Sequence, residues 1–233
     1  IGILILFDVI RQDAKTTLDY FKRQDVDIKI ISGDDPVTVS AIARRCHLLN
    51  YEHYIDVSSL SDEQIKEAIE KYTIFGRVSP KQKQLMVNAL QENNHTVAMT
   101  GDGVNDVLAL KAADCSIAMA SGSDAAKSAS HIVLLKNNFN AMPHIVNEGR
   151  RVINNITASA SMYLIKTIFS VVLSIGMILF GHGYPFKPIQ LTVISACCVG
   201  IPTFFLTYEP NFKRVSGDFL KTVFKNAFPF AFM

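Results

Sequence analysis

The sequence has no tryptophan and only four cysteines among 233 residues. Cys46 and Cys115 stand alone, and Cys197 and Cys198 are adjacent inside an apolar run. None of these spacings is that of a metal site, and free thiols suit a reducing cytoplasm better than a secreted protein. Net charge is also small: 23 Lys and Arg stand against 21 Asp and Glu, a formal +2. That balance supplies no strong positive field, so no nucleic-acid partner is expected. The start, IGILILFDVI, has neither a basic leader nor a cleavage site, so no signal peptide is expected. It has no initiator Met either, and the expectation is a chain taken from within a longer protein. Acidic residues are missing altogether from 158–208.

What is present falls into two regimes. Up to about residue 155, short apolar runs alternate with amphipathic stretches. IGILILF, DIKIIS, YTIFG, HTVAMT, CSIAM and HIVLL read as strands, and 13–24, 35–46, 61–71, 80–93 and 104–113 read as helices. Repeated strand–helix alternation predicts an α/β fold with a parallel sheet covered by helices. Beyond it, 158–180 carries a single charge, Lys166, and 189–208 carries none. Each run reaches the roughly 20 residues that a bilayer span needs. The turn-rich GHGYPFKP between them completes a transmembrane helical hairpin. Arg150 and Arg151 precede the hairpin, Lys213, Arg214, Lys221 and Lys225 follow it, and only Lys187 lies in the short loop. The basic-residue bias puts the α/β part and the tail in the cytoplasm. FLKTVFKNAFPFAFM reads as the start of a further span.

The chemistry concentrates at strand ends, where open α/β sheets place their sites. TGDGVNDVLALKAAD follows the strand HTVAMT and opens a helix. Asp102 and Asp106 are four apart, a spacing that points both carboxylates toward one spot. Two close acids call for a cation, and a hard ion such as Mg²⁺ suits oxygen ligands. Gly101 and Gly103 let backbone N–H groups approach a ligand, and a helix N-terminus favours an anion. A metal-bound phosphoryl group satisfies both demands. KIISGDDP supplies Ser32, Gly33 and Asp34 at a second strand end, and FGRVSPKQK puts Lys83 on the first turns of a helix near the same edge. A lysine there can neutralise charge that builds up in phosphoryl transfer. Taken singly, Ser32 reads first as a turn or cap residue and Lys83 as a solvated side chain. Their order across one domain shifts the reading to a site.

These three segments, TGDGVNDVLAL, ISGD and FGRVSPKQK, resemble the signature segments of P-type ATPases, membrane pumps of the haloacid-dehalogenase superfamily. SGSDAAKSASHIVLLKNNF, EGRRVINNI and PIQL follow the family's pattern as well, so the resemblance covers nearly the whole chain. It implies a Rossmann-like haloacid-dehalogenase sheet as a partial phosphorylation domain with its stalk over 1–150. Two transmembrane helices would occupy 151–208, and a cytoplasmic link with the start of another span 209–233. Asp102 would coordinate the catalytic Mg²⁺, and Asp106 would support that metal and orient Lys83. Lys83 would neutralise the transferred phosphoryl group. Ser32, where the family usually has Thr, would hold phosphoryl oxygens with Gly33. Asp34, Arg77 and Asn105 would line the ATP side. The helix from about Asn140 would carry the coupling into the membrane. The implied protein is an ATP-driven cation transporter, multi-pass in the plasma membrane, with its catalytic domain cytoplasmic.

No Asp-Lys-Thr-Gly-Thr segment, which carries the family's phosphorylated Asp, occurs in the sequence. The first four membrane helices and the actuator domain of such pumps have no counterpart either. The chain is therefore expected to pair with a missing N-terminal half and to be inactive alone. In the superfamily fold, the nucleophile strand lies between the strand ending at Ser32 and the strand ending at Thr100. Without it, those two either pair directly or leave a gap. Two other readings stay open. One is a lid-less phosphatase with Asp8 as nucleophile, although Ile10 stands where such phosphatases have a second Asp. In the family, an Asp-Pro-x-Arg turn falls where DVIR stands, with Val9 for Pro, which favours a structural role for Asp8. The other is a non-catalytic, membrane-anchored half that pairs with a partner.

For the cargo, the usual ligand positions of the family hold Ile168, Val171, Ser195, Cys198 and Val199, with no carboxylate. That speaks against a calcium or sodium–potassium site of the familiar kind. Lys166 lies about 12 Å into its span at 1.5 Å per residue. It is a functional counter-charge or a snorkelling side chain. Ser195 and Cys198 are the remaining transport candidates, and Pro202 is expected to interrupt the second span.

Overall fold

The computed structural model describes residues 12–136, 138–215 and 217–231. The strand expected at IGILILF, and Asp8 with it, lies outside the described residues. The chain divides into two compact units between Pro143 and His144.

The first unit begins with α1, Gln12–Arg23, and then runs through β1 (Ile30–Ile31), α2 (Pro36–Arg45), β2 (Tyr54–Asp56), α3 (Asp62–Lys71), β3 (Ile74–Gly76) and α4 (Pro80–Glu92). It continues with β4 (Ala98–Gly101), a 3₁₀ turn (Val104–Asp106), α5 (Val107–Ala112), β5 (Cys115–Met119), α6 (Asp124–Ala129) and β6 (Ile132–Leu134). All strand pairs are parallel, as the strand–helix alternation predicts. They form two three-stranded sheets, ordered β1-β3-β2 and β4-β5-β6. Among the described residues β1 and β4 do not pair, so each keeps one unpaired edge. Of the two outcomes expected around Ser32 and Thr100, direct pairing is not the one found.

The core explains how the site elements are held. β3 is buried along its whole length. Its alternating side chains face opposite ways. Phe75 joins Val57, Ile65, Ile69 and Met86 under α3 and α4, whereas Ile74 joins Val39, Ala43 and Leu48 beneath α2. Helix α4 serves two clusters: Met86 and Ala89 belong to the Phe75 cluster, and Val87 packs with Val97, Ala109 and Ala113. One helix thereby packs against cores tied to β3 and to α5. Helices start where the sequence provides caps: Asp35 before Pro36, and capping boxes Ser61–Gln64 and Ser79–Gln82. α1, α2 and α4 end on left-handed Asp25, His47 and Asn94, each followed by an N–H that reaches back to Phe21, Ala43 or Leu90. These are Schellman closures made without glycine. Strand β2 and helix α6 were not anticipated, being only 3 and 6 residues long.

The second unit contains the 39-residue helix α7, Ala141–Leu179, whose first turn holds the division between the units. A 19-residue helical stretch, Pro188–Leu206, follows. It comprises α8 (Pro188–Ser195), a π-helical segment (Ala196–Gly200) and α9 (Ile201–Leu206). Both are long and apolar enough to cross a membrane. Pro202 does not interrupt the second stretch: the helix widens to π geometry just before it. Widening absorbs the missing proline N–H without ending the helix. After α9, the chain is held by side chains of α7. Arg151 and Asn155 donate to Thr207 O, Asn155 to Glu209 O, and Asn154 to Asn211 O and Lys213 O. The amphipathic α10, Phe219–Ala231, is the last element.

Candidate phosphoryl-transfer site

Three loops leave the ends of β1, β3 and β4. After β1, Ser32 Oγ donates to Asp34 Oδ2 at 3.0 Å and accepts the Asp34 N–H at 3.1 Å. The next acid, Asp35, caps α2 through the Val37 N–H and accepts from Arg77 Nη2 at 3.1 Å. Arg77 also lies 3.4 Å from Asp56. Hydrogen bonds from Ser58, and less so Arg77, hold the Asp56 carboxyl below the usual carboxylate range. The loops after β1 and β3 are laced by main-chain bonds, Arg77 N–H to Asp34 O and Val78 N–H to Ser32 O. Arg77 itself has φ +55°, a left-handed conformation that a non-glycine residue adopts at a cost of about 1 kcal/mol. Gly76 precedes it because nothing larger fits: a Cβ there would lie 2.4 Å from Pro36 Cδ.

After β4, the acidic loop turns through Val104–Asp106 into α5. Lys83, on the first turn of α4, reaches across to Asp106 with Nζ–Oδ1 2.7 Å, both side chains 12% exposed. The other Asp106 oxygen accepts the Gly103 N–H at 3.1 Å. A Cβ at Gly101 would sit 2.7 Å from Asp106 Cβ, so Gly101 is what lets Asp106 fold back into this position. The two acids therefore have different surroundings. Asp106 is buried and paired, while Asp102 and Asn105 are exposed. The Asp102 carboxylate has no partner among the described residues, and its carbonyl accepts the Ser123 N–H at 2.8 Å.

Among the described residues, no three His, Cys, Asp or Glu side chains gather as a metal cage. A free carboxylate beside a Lys–Asp pair is instead the kind of donor set that suits Mg²⁺. That ion keeps several waters and takes one or two carboxylates plus phosphate oxygens.

A family model for haloacid dehalogenase-like hydrolases matches residues 1–114. The probable cation-transporting ATPase exp7 of Streptococcus pneumoniae is 47% identical over 241 residues, covering 100% of this chain and 31% of its own length. The calcium-transporting ATPase CtpE of Mycobacterium bovis is 44% identical over 245 residues, covering 99% of this chain and 30% of its own. Over nearly its whole length the chain is thus similar to cation-transporting ATPases. A crystal structure of a zinc-transporting PIB-type ATPase in its E2.Pi state matches with a TM-score of 0.62 at 25% identity. That match covers 86% of this chain and 27% of the other. The chain thus spans under a third of the length of these P-type ATPases, 31% and 30% for the two sequence relatives.

Of the expected site residues, the structure joins Lys83 to Asp106 and Ser32 to Asp34 by direct contacts. Gly33 lies in open space, where a Cβ would meet nothing within 4 Å. The Arg77 guanidinium is tied to Asp35 and Asp56, while its main-chain N–H reaches the candidate Asp34 at the carbonyl. In the apolar helices, Ser195 Oγ bonds its own helix at Leu191 O, and Cys198 is exposed within the π-helical segment. Lys166 is half-buried on α7. Three participants escaped the sequence reading. Asp35 was legible, since an Asp before Pro is a helix-start signal. Asp56 was not, because its strand is too short to show a period. Ser123 meets Asp102 only through the fold.

Proposed function

We propose that this chain supplies the Mg²⁺- and phosphoryl-binding half of the catalytic site, and two transport-domain helices, of an ATP-driven cation transporter. The observation that carries the reading is the Lys83–Asp106 pair at 2.7 Å. It brings a cation from α4 to the mouth of the acidic loop and leaves the Asp102 carboxylate free. Asp102 would hold Mg²⁺, with Asp106 in support through Lys83. When bound, the metal supplies positive charge to balance the phosphate. Lys83, fixed by Asp106, presents its ammonium where negative charge grows, a preorganised arrangement that needs no rearrangement during reaction. Ser32 and the N–H of Gly33 would take phosphoryl oxygens, and Asp34, Arg77 and Asn105 would face ATP. The phosphorylated Asp would come from an upstream segment of the same polypeptide, its strand filling the place between β1 and β4. Among the described residues, β1 and β4 each keep an unpaired edge, which supports that assignment.

Residues 1–150 would be the cytoplasmic phosphorylation part, 151–208 the two spans, and 209–233 the link to a further span of a multi-pass plasma-membrane protein. The cargo is a cation. Relatives such as CtpE are named calcium-transporting, yet 158–208 offers no carboxylate. Ser195, Cys198 and main-chain carbonyls near the π-helical segment would be the ligands, with Lys166 as a fixed counter-charge.

The test is phosphoenzyme formation from labelled ATP in the full-length transporter. Asp102→Asn and Lys83→Ala are each expected to cut acid-stable phosphoenzyme by about 10²–10³-fold, the range for removing a preorganised charge-stabilising group. Undiminished phosphoenzyme in either variant means the site is misassigned. Magnesium-dependent ATP turnover by the present chain alone, lost in Asp8→Asn, would favour the phosphatase instead.

A further inference from the structure

Among the described residues nothing holds the Asp102 side chain, so its aim depends on its main chain. That main chain is gripped from one side. β4 and β5 run in parallel with Gly101 opposite Ala118. Past these strand ends, the turn at 120–123 comes alongside Asp102. Ser123 N–H donates to Asp102 O at 2.8 Å, and Gly122 N–H donates to Met119 O at 2.9 Å. A Cβ at Gly122 would lie 2.8 Å from Asp102 O, 3.1 Å from Asp102 Cα and 3.0 Å from Met119 O. All three are main-chain atoms, so no side chain can swing aside to make room. The turn is itself anchored. Ser123 Oγ caps α6 through the Ala126 N–H at 3.1 Å, Ala126 is fully buried, and Lys127 Nζ reaches Ala120 O at 3.4 Å.

We infer that Gly122 and the main-chain N–H of Ser123 are positioning residues for Asp102, setting where its carboxylate meets the metal. The inference rests on the proposed role of Asp102. Outer-shell partners of this kind hold a metal ligand in its productive direction, and losing them typically weakens metal binding by about 10-fold or more.

The experiment uses Mn²⁺ as a paramagnetic stand-in for Mg²⁺, titrated without nucleotide against the full-length transporter in detergent and followed by its EPR signal. Binding lost in Asp102→Asn defines the site. Gly122→Ala is expected to weaken that component about 10-fold. A paired substitution separates aim from fold. Ser123 has φ −62°, which proline adopts without strain, so Ser123→Pro removes the N–H and sets the ring against the Asp102 carbonyl. Ser123→Ala removes only the hydroxyl cap. Ser123→Pro should weaken Mn²⁺ binding as Gly122→Ala does, and Ser123→Ala should leave it near wild type. Unchanged affinity in Gly122→Ala, or equal losses in the two Ser123 variants, overturns the inference while leaving the Asp102 assignment intact. Unchanged affinity in Asp102→Asn overturns that assignment itself, and the inference with it.

Discussion

Hydroxyl side chains serve mainly helix starts in the first unit and helix interiors in the second. In the first, Ser61, Ser79 and Ser123 stand at helix starts and accept main-chain N–H groups from Gln64, Gln82 and Ala126. In the second, hydroxyls donate back into their own helices: Thr157 to Ile153 O, Ser161 to Thr157 O, Ser174 to Ser170 O and Thr192 to Pro188 O. A cap is a choice among partners, because water would otherwise serve the first-turn N–H groups. Back-bonding needs no partner beyond one turn of the same helix, which suits a helix whose surroundings offer no hydrogen bonds. Large apolar side chains follow the same division. Val171, Ile175, Ile178 and Phe204 are exposed in the second unit, while Phe75, Ile65 and Met86 are wholly buried in the first. Burial thus organises the first unit from within, and the second presents its apolar surface outward.

The sharpest way to break the first unit is at Gly76. Its Cβ would lie 2.4 Å from Pro36 Cδ, and β3 is already fully covered. Gly76→Ala is expected to cost about 3 kcal/mol, as overpacking of a tight core does. Denaturant unfolding in mild detergent measures it, and a loss too small to resolve would show that β3 and α2 can separate freely.

A matched pair of substitutions sharpens the contrast in hydroxyl use. Ser79→Ala removes a capping box at the start of the helix that carries Lys83, and should cost about 1 kcal/mol. Ser174→Ala removes a back-bond to a carbonyl that its helix already satisfies, and should change stability by less than about 0.5 kcal/mol. Equal effects in thermal or denaturant unfolding would erase the distinction drawn between the units.

The smallest effect concerns Asp114. The Val97 N–H at 2.8 Å, and then Gln91, hold its carboxyl below the usual carboxylate range. A carboxyl depressed in the folded state stabilises above its unfolded pKa, and that contribution is lost as pH falls through the folded value. Asp114→Asn should therefore lower the unfolding midpoint at neutral pH, and the gap to wild type should close in acid. A gap that persists or widens in acid would place the effect in packing rather than charge.

Much of this architecture was legible in the sequence. CSIAM is the strand that its apolar run predicts, and the apolar runs at 158–180 and 189–208 lie in helices long enough to span. Lys83 and Asp106 were readable as site residues from their places after β3 and β4. Their direct pairing was implied only by the family resemblance, in which Asp106 orients Lys83; residue spacing alone does not show it, because it depends on α4 packing against α5. The split into two sheets was foreseen only as one of two outcomes. Pairing between β1 and β4 depends on contacts far apart in sequence, which local periodicity does not encode.

The π-helical segment Ala196–Gly200 also preserves a phase. One residue of α-helix turns the chain by about 100°, but a wide i→i+5 turn takes up one extra residue while the helix beyond it keeps nearly its phase. Val199 and Thr203 are buried, while Phe204 and Phe205 are exposed. Deleting one residue there would restore an ordinary helix of almost the same length. Phe204 and Phe205 would then keep close to their present outward direction, whereas the same deletion in ordinary α-helix would turn every later side chain by about 100°.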